Sequence, residues 1–244
     1  EWNRGAYLVQ GLGHCAACHS PRNALGASGP VDELSGGLMP IVNWYAPDLT
    51  RDSETGLAST PLAEIVRLLG TGTSAQAQTS GPMAEVVQHG TQYMNAADLQ
   101  AMAVYLQSRA QKASAADTPA ARAPVNLRVA EMGLKTYERH CAQCHGDSGE
   151  GVRTSSGQVA YPALAGNRAV QLRDPTNLVQ TVLYGGYAPA TAGHPRPFGM
   201  PPFVLELDDR DIAAVLTHLR TQWSNTGSEV TPLQVNRIRA SQDH

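Results

Sequence analysis

Apolar residues in this chain fall into two matching sets of amphipathic stretches separated by glycine- and proline-rich segments. Leu99, Met102, Ala103 and Leu106 stand at i, i+3, i+4, i+7, and Ile212, Val215, Leu216 and Leu219 repeat the spacing. On a 3.6-residue period each set lines one face of a helix. Asn95 and Asp208 stand just before these stripes and predict N-caps. Shorter apolar runs predict helices over 61–70 and 175–184, and a short helix containing Gly5 or Gly133 is expected near the start of each set. The closing helices should cross those first helices, with the glycines permitting close approach. Between the sets, residues 111–125 are rich in alanine, poor in large apolar side chains and carry Pro119 and Pro124. This composition predicts an extended linker. The expected division is a first domain at 1–110, a linker at 111–125, a second domain at 126–222 and a C-terminal tail at 223–244.

Composition explains why two such domains need help to fold. Aromatics are 5% of the 244 residues, with two Phe in all, so each half has little bulky material for a core. A buried apolar cofactor would supply it, since apolar burial is the main favourable contribution to folding. The 23 Gly and 16 Pro suit loops wrapped around such a group. A net charge of −3 with no basic stripe argues against a nucleic-acid partner. Residues 1–112 carry six basic and nine acidic side chains, and 113–244 carry twelve of each. Lys occurs only at Lys112 and Lys135, so electrostatic docking of an acidic partner would fall to Arg in the second half. No stretch approaches the ~20 apolar residues that span a bilayer. A soluble chain with no membrane anchor of its own is therefore expected, its export leader already removed.

All four cysteines lie in two copies of one pattern, Cys15-Ala-Ala-Cys18-His19 and Cys141-Ala-Gln-Cys144-His145. C-x-x-C-H is the attachment signature of c-type haem: two sulfurs bond the vinyl groups of one porphyrin and the following histidine ligates iron. Two covalently bound haem c groups are expected. A zinc site built from two C-x-x-C knuckles, or a C-x-x-C redox pair, would each leave the histidine unexplained. Covalent haem attachment goes with export, which points to the periplasm. With no cysteine left over, disulfides and thiolate ligation of iron are excluded.

A second axial ligand must come from elsewhere, and a thioether opposite histidine raises the potential. Met83 in Gly81-Pro82-Met83 and Met200 in Gly199-Met200-Pro201-Pro202 occupy equivalent places between the middle and closing helices. A neighbouring proline restrains the backbone that aims the sulfur. The expected metal ligands are His19 with Met83 and His145 with Met200. Met94 is the alternative for the first iron, and His89, His194 and His218 are the histidine alternatives. Met102 and Met132 suit core positions, and Met39 stands too near the first motif.

Wording around the motifs resembles the multihaem cytochrome c subunits of membrane-bound bacterial dehydrogenases, such as the alcohol and gluconate dehydrogenases. The resemblance is carried by Arg4-Gly5-Ala6-Tyr7-Leu8, Gly13 to His19 with Pro21-Arg22-Asn23, Trp44 to Thr50, and Gly81 to Val87. In the second half it is carried by Tyr161 to Asn167, Gly199 to Phe203, and Leu207 to Trp223. It implies an all-α fold: two tandem class I cytochrome c domains, each a few helices and long loops around one covalent haem. It also implies electron transfer from a dehydrogenase to quinone or a terminal oxidase, through His/Met-ligated iron. Such subunits usually have three haem units and a C-terminal membrane-binding segment; two units are present here. Arg22, Trp44, Tyr45 and Tyr161 are candidate donors to haem propionates, which need partners when partly buried. The leading expectation is a periplasmic electron carrier between a dehydrogenase and a respiratory acceptor, rather than an enzyme. A dihaem peroxidase, a sulfur-compound oxidising enzyme or a ligand sensor would require one open iron site.

Overall fold

Both amphipathic stripes are helices, and each crosses the first helix of its own unit on a glycine. This is seen in a computed structural model describing residues 1–31, 33–39, 41–112 and 125–241. The chain divides into two compact units. One is Glu1–Ala75 with Gly81–Thr118 and Pro189–Pro195; the other is Gln76–Ser80 with Pro119–Ala188 and Arg196–His244. Of the expected linker, residues 113–124 lie outside the described residues.

The first unit starts with α1 (Trp2–Ala6), a π-helical segment (Tyr7–Leu12) and α2 (Ala16–His19). The π-helical turn has a local explanation. Ten residues separate Gly5 from Cys15, whereas eight separate Gly133 from Cys141, and wider turns take up added residues without breaking the helix. An antiparallel ribbon follows, β1 (Gly37–Met39) against β2 (Trp44–Ala46), with Leu38 opposite Tyr45. Then come α3 (Asp52–Thr55), α4 (Leu62–Thr71), α5 (Pro82–His89) and α6 (Ala96–Arg109). Gly72, at φ 75°, ends α4, as left-handed glycines commonly end helices. The Asn95 side chain accepts from Asp98 N–H and starts α6. A Cβ on Gly5 would lie 2.0 Å from the Ala101 carbonyl oxygen, so α1 and α6 meet backbone to backbone. Leu8, Val9, Ile65, Leu69, Leu99, Met102 and Leu106 fill the core around that crossing.

The second unit repeats the plan with α7 (Leu127–His140), α8 (Ala142–His145) and the ribbon β3 (Val152–Arg153) with β4 (Val159–Tyr161). It continues through α9 (Arg168–Gln171), α10 (Thr176–Tyr184), the ribbon β5 (Gly186–Tyr187) with β6 (Gly199–Met200), and α11 (Asp209–Thr221). Asp208 caps α11 in a reciprocal box with Asp211. A Cβ on Gly133 would lie 2.3 Å from the Ala214 carbonyl oxygen, the same close crossing as at Gly5.

Two features depart from the sequence expectation. The fold is helix-rich rather than purely helical, because glycine- and proline-rich loops fold back into two-stranded ribbons. The segment expected as a tail also carries a helix, α12 (Pro232–Ala240), started by a Thr231–Gln234 capping box with proline in the first turn. Val230, Val235 and Ile238 are buried in the second core. The fully buried Arg220 ties this region down, donating to the carbonyls of Val170, Leu172 and Ser228. Arg239 does the same from α12, binding Asp209 and the carbonyls of Val204 and Leu207. Among the described residues, no helix is long and apolar enough to cross a membrane.

Candidate haem-binding sites

Each C-x-x-C-H motif forms a single helical turn that ends on its histidine. Cys15 precedes α2 and His19 closes it; Cys141 precedes α8 and His145 closes that. The backbone N–H groups of His19 and His145 bond to the Cys15 and Cys141 carbonyls, both at 2.9 Å. The turn thereby places both sulfurs and the imidazole on one short stretch of chain.

The two imidazoles are held alike. His19 Nδ1 lies 2.8 Å from the Pro47 carbonyl oxygen, and His145 Nδ1 lies 2.9 Å from that of Pro162. A carbonyl only accepts, so Nδ1 carries the hydrogen and Nε2 keeps a bare lone pair. Burial pushes both imidazoles below their ordinary pKa, holding them neutral, while the carbonyl bonds pull the other way. Neutral imidazole with Nδ1 engaged and Nε2 free is the form that ligates iron, and this outer hydrogen bond fixes the ring's orientation.

Glycines complete the bracket. Gly36 N–H donates to the His19 carbonyl and Gly151 N–H to that of His145, both at 2.8 Å. They adopt φ 76° and 68°. A Cβ on Gly36 would lie 2.6 Å from Asp48 N, and one on Gly151 would lie 2.5 Å from Ala163 N. The positive φ and the lack of space both require glycine. Sequence reasoning missed Gly36, Gly151, Pro47 and Pro162 in these roles. A signal was present: Pro47-Asp48-Leu49 and Pro162-Ala163-Leu164 share the form Pro-x-Leu.

The methionines sort less sharply. Met83 lies in the first turn of α5 and packs against the first core, as does Met94 just before α6. Met200 lies in β6 against the second core. Met102 is buried in α6, as expected of a core residue, and Met39 sits in β1 opposite Trp44. Met132, expected in the core, is half-buried and lines a charged groove beside α7. Of the histidine alternatives, His89 is exposed and His194 is buried. His218 is buried against the rings of Tyr137 and Trp223.

Each ribbon also touches the segment that carries its methionine. The Trp44 ring covers Gly81, where a Cβ would be 2.6 Å away, and Tyr161 packs on Phe198 with ring centres 5.2 Å apart. The Tyr45 hydroxyl donates to Glu54, at 2.9 Å from Oε2, so a propionate would compete with that carboxylate. Arg22 donates to the carbonyls of Ala17 and Gly26.

Burial pushes the Cys15 and Cys141 thiols up to about 11, so neither free thiol is ionised at neutral pH. Among the described residues no three His, Cys, Asp or Glu side chains converge as a metal ion held by protein alone would need. The donor set fits haem: on one turn, two thiols for the vinyls and a neutral, oriented imidazole for iron.

Residues 130–223 match the Cytochrome c family, which makes the body of the second unit a cytochrome c domain and its cofactor covalent haem c. The wider chain is 37% identical to the cytochrome c subunit of the quinone alcohol dehydrogenase of Gluconacetobacter polyoxogenes, over 98% of this chain and 53% of that one. Identity to the fructose dehydrogenase cytochrome subunit of Gluconobacter japonicus is 33%, over 98% of this chain and 52% of that one. For the gluconate 2-dehydrogenase cytochrome c subunit of Pantoea cypripedii it is 35%, over 93% and 53%. Nearly the whole chain is thus similar to cytochrome c subunits of dehydrogenases, and it spans about half the length of the curated relatives it matches.

Proposed function

We propose that this chain is a dihaem c-type cytochrome that carries electrons between a periplasmic dehydrogenase and a respiratory acceptor. It would consist of two tandem cytochrome c domains, each binding one haem through Cys15 and Cys18 or through Cys141 and Cys144. The observation that carries the proposal is the duplicated bracket: a half-buried histidine following two cysteines, with Nδ1 on a proline carbonyl, which leaves the lone pair on Nε2. The Cytochrome c match covers the second copy, and the matching bracket geometry supports the same reading of the first. Bound haem supplies a one-electron Fe(III)/Fe(II) couple.

The chain's own residues hold and tune that couple. Pro47 and Pro162 orient the imidazoles and raise their basicity. Met83 and Met200 supply the opposing thioethers, each from a segment restrained by proline and in contact with its ribbon. Met94 is the specific competitor in the first unit, because it packs against the same core as Met83. The dehydrogenase names of the relatives support a dehydrogenase as electron donor.

A pyridine haemochrome assay on the purified protein should give two c-type haems per chain. The ferric protein should show the weak near-infrared band of sulfur-ligated haem, and Met83→His or Met200→His should each remove half of it. If Met94→His removes the half assigned to Met83, the first ligand is Met94. Rapid, complete carbon monoxide binding at one haem would instead favour an enzyme or a sensor with an open iron site.

A further inference from the structure

The two histidine brackets differ at one matched position. Gly36 abuts Ala46-Pro47-Asp48 as Gly151 abuts Tyr161-Pro162-Ala163, which pairs Asp48 with Ala163. Asp48 is 7% exposed and follows the carbonyl that holds His19. Its Oδ1 accepts from Thr50 N–H at 2.7 Å and from the Thr50 hydroxyl at 2.6 Å. Its Oδ2 lies 3.4 Å from Arg51 Nε, on a side chain 63% exposed. Glu54 Oε2 accepts from Asp48 N–H at 2.9 Å and also takes the Tyr45 hydroxyl. Two carboxylates and one water-exposed guanidinium thus surround the Pro47 carbonyl. Ala163 places a methyl group at the matched position. Near the second motif along the chain, Glu138, Asp147 and Glu150 are all exposed; Glu150 accepts from Ser148 N–H and lies against Gly146.

We infer that Asp48 and Glu54 are positioning residues that set the first haem at a lower reduction potential than the second. This rests on both motifs being haem sites. A ferric centre carries one more positive charge than a ferrous one, so a nearby partly buried net negative charge favours the ferric form. Glu54 also fixes the Asp48 N–H, and with it the loop whose carbonyl makes the His19 imidazole a more basic ligand. A single electron shared between the two centres would therefore rest on the second.

The test is spectroelectrochemical titration of the haem-loaded full chain, with Met200→His displacing only the second couple and so assigning it. Asp48→Asn and Glu54→Gln keep the hydrogen-bond acceptors and remove the charge. Each should raise the first couple so that the oxidised-to-reduced ratio at fixed potential falls about tenfold, about 59 mV for one electron, leaving the second unmoved. Glu54→Asp should retain most of the wild-type value. Ala163→Asp makes the reciprocal change where loss of Asp48 disturbs folding, and should lower the second couple alone. The inference is overturned if the wild-type first couple lies above the second, if no charge change moves its own couple, or if both couples move together. Fewer than two haems in the haemochrome assay would overturn the two-haem proposal itself, and this inference with it.

Discussion

Replacing Gly36 or Gly151 with alanine tests the histidine bracket directly. Both glycines lie in the left-handed region, at φ 76° and 68°. Placing a Cβ there costs roughly 1–2 kcal/mol. That Cβ would also sit 2.6 Å from Asp48 N and 2.9 Å from the Ala46 oxygen in the first unit. In the second it would sit 2.5 Å from Ala163 N and 2.6 Å from the Tyr161 oxygen. Ordinary carbon contacts lie near 3.5 Å, and the obstructing atoms are backbone, which cannot rotate aside. Overpacking of this kind costs typically 1–3 kcal/mol. The combined expectation is about 3 kcal/mol, or roughly 12 °C in Tm for a unit of this size. The obstructed atoms flank Pro47 and Pro162, so relief of the clash must move the carbonyls that hold His19 and His145. Thermal melts of the haem-loaded variants should therefore show the loss of stability, and the ferric near-infrared band of the substituted unit should shift or weaken. Melting within about 1 kcal/mol of wild type, with unchanged spectra, would refute the bracket.

Further changes probe the frame around it. Gly5→Ala and Gly133→Ala drive a Cβ to 2.0 and 2.3 Å from a carbonyl oxygen, and even after alanine's helix advantage each should lose about 2 kcal/mol in urea titrations. Gly11→Ala, whose Cβ would meet nothing closer than the Tyr7 ring carbons at 3.8 Å, is the neutral control. Arg220→Met strands the carbonyls of the buried Val170 and Leu172 inside the second unit and removes the bond to Ser228, with a loss of roughly 3 kcal/mol by chemical denaturation; an unchanged urea midpoint would contradict the role given to Arg220. Hydrogen bonds from the Asp211 and Arg210 N–H groups hold the Asp208 carboxyl below its usual pKa. That stability is present above the unfolded value near 4 and is lost as pH falls through the folded one. Asp208→Asn keeps a cap but removes this dependence, so its urea midpoint should fall less steeply than wild type between pH 5 and pH 2; parallel profiles would exclude the linkage.

Features that depend on neighbours in sequence were legible, and features that depend on distant pairing were not. The Asn95 and Asp208 caps and the closing-helix stripes are local patterns, and the structure places them as expected; the glycine crossings join helices far apart in sequence and were legible only because each unit has a glycine in the helix before its motif. The carbonyls of Pro47 and Pro162 stand 28 and 17 residues from their histidines, across loops with no periodicity to align them. Strands of two or three residues carry no alternation, so the ribbons left no trace. The last helix was missed because only Val235 and Ile238 mark its buried face, too few for a stripe. The Thr231-Pro232-Leu233-Gln234 capping pattern would have revealed it.

Between the two units, chain length varies and geometry persists. The path from histidine to bracketing proline is much longer in the first unit than in the second. The helix before the motif gains two residues in the first unit and takes a π-helical turn. Despite this, Gly36 and Gly151 make the same bond to the histidine carbonyl at the same distance, in the same left-handed conformation. The bracket is fixed by the same three groups in each unit: a glycine without a side chain, a proline carbonyl and a half-buried ring between them. None of these contacts involves the side chain after the proline. That side chain can change from a carboxylate to a methyl without disturbing how the imidazole is held. Ligation and electrostatics are thereby separated onto adjacent residues, which is what a carrier needs if two centres are to share one pair of ligands and differ in affinity for the electron.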